Sequence, residues 1–155
     1  MVTVERHVDA PPAAVWAVLA DGWSYAWVVG TALIRSVDEG WPAPGARIHH
    51  SVGVWPLLLD DDTLVVESEA DRRLVLKARG RPFGEARVVI ELAPNGSGTW
   101  LRLSEDVERG PGRRLVPEPV RRLVTLVRNR EGIRRLALRA EGRARGERDA
   151  PGSGG

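Results

Sequence analysis

The sequence predicts an α+β domain, a curled antiparallel sheet of seven strands with one long C-terminal helix. Three observations point there. Upstream of Gly110 the chain runs in short alternating or apolar segments parted by turn formers, as strands in hairpin succession do. Only residues 117–140 sustain a helical period over many turns. The helical segments are segregated, two short ones after the first strand and the long one at the end, which separates α+β from α/β.

Each element has a local reason. Residues 2–8 alternate, with Val2, Val4 and Val8 on one face of a strand. Asp9-Ala10-Pro11-Pro12 then turns the chain into a helix, since prolines suit a first turn whose N–H groups lack partners anyway. Val15, Trp16, Val18 and Leu19 follow at helical spacing up to Asp21-Gly22, and a second short helix over 23–29 ends at Gly30. Strands are expected over 32–38, 47–54, 64–69, 73–79, 85–92 and 99–106. Pro94-Asn95-Gly96-Ser97-Gly98 is the clearest hairpin turn, and its Asn-x-Ser is read as turn chemistry and not as a glycosylation acceptor. Asp60-Asp61-Asp62 lacks the regular ligand spacing of a calcium loop and reads as a solvated turn. On the long helix Leu126, Ile133, Leu136, Ala137 and Ala140 share one side. The domain is expected to span 1–145, with the Arg/Gly/Glu-rich residues 146–155 a disordered tail.

Composition bounds the function. A chain of 155 residues makes one domain with a real core. No apolar run is long enough to span a bilayer, and the first residues lack the order of a secretion signal. Cysteine is absent, which removes disulfides, thiolate catalysis and cysteine metal sites and fits a cytoplasmic protein. The net charge of +2 hides an asymmetry, because residues 1–108 are acidic and 109–155 strongly basic. A basic helix neutralised by an acidic sheet is the expected meaning, so nucleic acid is not the expected partner.

Val8-Asp9-Ala10-Pro11-Pro12-Ala13-Ala14-Val15-Trp16, Pro44-Gly45-Ala46-Arg47-Ile48 and Gly98-Thr99-Trp100-Leu101-Arg102-Leu103-Ser104-Glu105 occur in this order along the chain. In order and spacing they resemble the SRPBCC superfamily, also called START-like or Bet v 1-like, and within it the bacterial polyketide cyclase/dehydrase-like branch. The resemblance covers about residues 2–142. It implies a helix-grip fold with a cavity between sheet and helix, and leaves activity open, because that superfamily holds carriers as well as enzymes.

Strand parity then nominates the residues facing such a cavity. Ile48, His50 and Val52 share the apolar face of their strand, and Leu101, Leu103 and Glu105 share that of theirs. Asn129 falls in the apolar seam between Leu126 and Ile133, with Arg130 beside it. Trp27, Trp41 and Trp55 lie in segments expected to border the mouth, where aromatic rings suit a flat apolar guest. His50 and Glu105 are the candidate catalytic acid and base. His49 and His50 point to opposite faces and only His7 remains, so no metal site is expected. No phosphate loop, dinucleotide fingerprint or nucleophile elbow occurs, and no cofactor is expected.

Three functions follow. The first is a binding protein, monomer or homodimer, that encloses a small hydrophobic or aromatic molecule, lipid-like or polyketide-like. The second is a cyclase/dehydratase-like enzyme in which His50 and Glu105 move protons beside an enolisable carbonyl. The third is an interaction protein that uses the Arg-rich face of the last helix.

Overall fold

The computed structural model describes residues 1–80, 84–109 and 117–149. Strand β1 (Val2–Val8) leads into helix α1 (Pro12–Ala20) and a 3₁₀ helix (Gly22–Trp27). Strands β2 (Thr31–Val37), β3 (Arg47–Val54), β4 (Leu57–Glu69), β5 (Arg73–Gly80), β6 (Gly84–Asn95) and β7 (Gly98–Arg109) follow, then helix α2 (Glu118–Asp149). The strands form one antiparallel sheet in the order β1-β7-β6-β5-β4-β3-β2. Neighbouring strands are therefore consecutive in the chain except β1, which closes onto β7 and brings the amino terminus beside the start of α2. Register shifts in β2, β4 and β7 mark bulges, which increase local twist and help the sheet curl around α2.

The sequence places the strand interiors well and two boundaries poorly. Strand β4 starts at Leu57, so Asp60-Asp61-Asp62 is strand and not a solvated turn. Aspartate is a poor strand former, but cross-strand partners hold the Asp60 and Asp62 side chains. Ser51 donates to Asp60, Arg35 lies 3.4 Å from Asp60, and Arg47 and Arg79 both bind Asp62. Gly53 makes the β3–β4 tip possible: its φ is +119°, and a Cβ there would sit 2.3 Å from the Leu57 carbonyl oxygen.

Helix α2 also runs to Asp149, past the start of the expected tail, while 150–155 lie outside the described residues. Arginine, glutamate and alanine are good helix formers, and this last part is docked. Ala144 is buried, and Arg143 donates to the Ala17 carbonyl and to Asp21. The expected neutralisation is visible in part. Arg128–Glu105 and Arg143–Asp21 join α2 to the acidic remainder, whereas Arg134 and Arg135 pair with Glu131 on the helix itself.

The core lies between the sheet, α1 and the carboxyl-terminal part of α2. Val8, Val15, Ile48, Leu74, Ile90, Leu101 and Leu136 are fully enclosed there. Ala137, Ala140 and Ala144 let α2 lie close to β1 and α1. No helix among the described residues is long and apolar enough to cross a membrane.

Candidate functional site

Toward the other end of the sheet, packing gives way to a hollow of about 470 Å³ between the concave face and α2. Trp27, Val52, Leu76, Val88, Leu103 and Val107 supply most of its apolar wall. His50, Thr63, Glu105 and Asn129 break that wall with polar groups, each buried to within 6% of full enclosure. The rim includes Leu57 and Leu59, which are exposed to solvent beside the β3–β4 tip.

Of the residues nominated from sequence, Trp27, His50, Val52, Leu103, Glu105 and Asn129 line this hollow. Ile48, Leu101 and Ile133 have the correct face but lie deeper along their elements, inside the solid core. Leu126 packs against that core half-buried and off the wall. Trp55 sits at the hairpin tip, 82% exposed, and lines nothing. Trp41 turns inward, donating its N–H to the Leu19 carbonyl and standing edge-on to Tyr25. Arg130 is exposed, and the arginine that α2 brings to the cavity is Arg128. The helical period explains the exchange: Arg128 precedes Gly132 by four residues and shares its cavity side, whereas Arg130 is rotated about 100° beyond Asn129.

Two hydrogen-bonded chains carry the polar part. In the first, Tyr25 Oη lies 2.9 Å from Thr63 Oγ1, which lies 3.1 Å from His50 Nε2. Burial, with Arg35 nearby, pushes the His50 imidazole down to about 4, so it is neutral near pH 7. Burial pushes the Tyr25 phenol up to about 12, so it too carries no charge. In the second chain Arg128 donates to Glu105 and, at 3.4 Å, to Asn129 Oδ1. Thr63, Tyr25 and Arg128 were not nominated from sequence. Thr63 follows Ile48 and His50 in the β3–β4 register, and taking the three aspartates as a turn hid that register. Tyr25, the only tyrosine in the chain, gave a compositional hint and nothing more.

His50 Nδ1 and Asn129 Nδ2, both on the wall, are buried without a hydrogen-bond partner among the described residues. The arrangement can enclose an apolar body and meet one or two polar atoms on it. It is less suited to proton transfer, since a neutral His50 is a poor acid and Glu105 is engaged by Arg128.

No curated protein matches the chain at a significant level. Among solved structures, protein NE0264 from Nitrosomonas europaea superposes with a TM-score of 0.69 at 17% identity, over 92% of this chain and 94% of that one. Ara h 8.0201 does so with a TM-score of 0.67 at 15% identity, over 93% and 96%. DynU16, from the dynemicin biosynthetic locus, gives 0.61 at 22% identity over 88% of this chain and 45% of its own. At these identities the likeness is one of fold, the Bet v 1-like helix grip. A family profile described as "Polyketide cyclase / dehydrase and lipid transport" matches residues 1–141. With nine-tenths of its length so matched, the chain belongs to the polyketide cyclase/dehydrase and lipid transport family of the SRPBCC superfamily.

Proposed function

We propose that this protein binds a small hydrophobic or aromatic molecule in the hollow between the sheet and α2. The observation that carries the reading is the cavity itself: about 470 Å³, walled mainly by apolar side chains, within the size range of small-molecule sites. An apolar fluorescent probe should bind with one-to-one stoichiometry and be displaced by flat apolar competitors. His50→Gln and Glu105→Gln should leave that binding within a few-fold of wild type, because the apolar wall supplies most of the affinity. A probe that fails to bind, or binds at many equivalent surface positions, would contradict the reading.

A second reading is favoured by one observation, that His50 and Glu105 both face the cavity. In it the family's cyclase/dehydratase chemistry operates here, with His50 as base toward an enolisable carbonyl. The low basicity that burial gives His50 and the Arg128–Glu105 pair favour the carrier over this catalyst. Turnover of a poly-β-keto substrate that is lost in His50→Gln would reverse the preference. The third reading, recruitment of an acidic partner by α2, is weakened by the pairing of Arg128, Arg134, Arg135 and Arg143 with carboxylates of the chain.

A further inference from the structure

The polar corner of the cavity constrains the ligand's chemistry. Asn129 is 6% exposed, and its Oδ1 receives both Nε and Nη2 of Arg128 at 3.4 Å. A guanidinium only donates, so the amide oxygen must face it, and the Nδ2 donors are turned to the other side. Nδ2 has no partner among the described residues, and Asn129 lines the hollow. A buried donor left unpaired costs free energy that a ligand oxygen can recover.

His50 offers the opposite kind of contact, or the same kind. Thr63 Oγ1 is shared between Tyr25 and His50, and it has one proton to give. If Nε2–H donates to Thr63, then Thr63 donates to Tyr25 and Nδ1 presents a lone pair. If Tyr25 donates to Thr63, then Thr63 donates to Nε2 and Nδ1 presents an N–H. Both arrangements keep all three groups neutral, and both leave Nδ1 for a ligand, since it has no partner among the described residues. Anions are poorly served. Among the described residues the two arginines on the wall are engaged, Arg128 by Glu105 and Arg79 by Asp62 and Glu85. A ligand carboxylate would be desolvated beside Glu85 and Glu105 with no free cation among the described residues to meet it.

We infer that the site selects a neutral oxygenated aromatic or apolar molecule, a ketone or a phenol/enol, over its hydrocarbon and carboxylate analogues. In this arrangement Asn129 donates to the ligand oxygen, and the reversible Tyr25–Thr63–His50 chain adapts His50 to either a carbonyl or a hydroxyl. The inference rests on the reading of the hollow as a ligand site.

Four probes of one shape test it: naphthalene, 2-naphthol, 2-acetylnaphthalene and 2-naphthoate, titrated into wild type, Thr63→Val, Tyr25→Phe and Asn129→Leu. The naphthol and the ketone should each bind about threefold to tenfold tighter than naphthalene, the gain expected of one or two net hydrogen bonds, and the carboxylate no tighter than naphthalene. Asn129→Leu should reduce the advantage of both the ketone and the naphthol, leaving each the contact with His50. Thr63→Val should reduce the advantage of both while naphthalene is bound as before, and Tyr25→Phe serves the same purpose should Thr63→Val not fold. Nitrogen NMR of the imidazole should find the proton on Nε2 in the naphthol complex and on Nδ1 in the ketone complex. Equal affinities for all four probes, a preference for the carboxylate, or one tautomer in both complexes would overturn the inference and leave the cavity reading standing. Failure of naphthalene itself to bind would remove both.

Discussion

The two ends of the sheet are built from the same strands and differ in what α2 does above them. At one end α2 presents Leu136, Ala137 and Ala140 to β1 and α1, and the space closes into a solid core. At the other it presents Arg128, Asn129 and Gly132, and the space stays open. Gly132 marks the boundary, with a Cβ position 3.6 Å from the Trp27 carbonyl oxygen. Along each element polarity rises in the same direction: Ile48 to His50 on β3, Leu101 through Leu103 to Glu105 on β7, Ile133 to Asn129 on α2. Folding energy is concentrated at the closed end, and the open end is left available for a guest.

That division can be broken by mutation, and the largest effect belongs to the closed end. Leu136→Ala removes a fully enclosed side chain where α2 meets the core and should cost about 2–5 kcal/mol in urea unfolding. Next is the pH response of His50, a neutral imidazole at 4% exposure. Its folded value of about 4 lies below the unfolded 6.5, so the unfolded chain binds the extra proton in between. The stability concerned is fully present above pH 6.5 and is lost as pH falls toward 4, on the order of 3 kcal/mol. His50→Gln should flatten the unfolding free energy over that window relative to wild type, and an unchanged slope would mean that His50 is protonated in the folded protein.

Arg128→Met leaves Glu105 buried without its guanidinium and Asn129 without its orienting donor, at a cost of about 1–3 kcal/mol. Because both partners sit at the cavity, this variant should also alter ligand affinity, which Leu136→Ala should not. The smallest effect belongs to the open wall. Val52→Ala trims a half-buried side chain that already faces a void, and should cost only about 0.5–1 kcal/mol. If Val52→Ala proved as damaging as Leu136→Ala, the open end would be packed as tightly as the core.

The same gradient explains how much of the site was legible in the sequence. Parity along a strand reports which face a side chain takes, and it put Ile48, His50 and Val52 together correctly. It contains nothing about depth, so Ile48, Leu101 and Ile133 were grouped with the wall although they belong to the floor of the core. Depth is set by where α2 stops touching the sheet, which depends on non-local geometry. Thr63 was lost for a different reason: local propensity makes three consecutive aspartates a turn, and the arginines of β2, β3 and β5 that keep them in a strand lie far along the chain. The fold itself was legible because hairpin turns, strand periods and the single helical period all agreed.

If the open end is a binding space and not a packing accident, filling it must abolish binding. Ala78, on β5, lines the hollow with a small side chain, so Ala78→Phe fills the space from its floor. Titration of an apolar fluorescent probe against this variant and wild type is the most direct test. Wild type should bind the probe saturably and Ala78→Phe at least tenfold more weakly, with the unfolding midpoint unchanged or raised. Equal binding by both proteins would place the probe elsewhere and contradict a binding role for the open end.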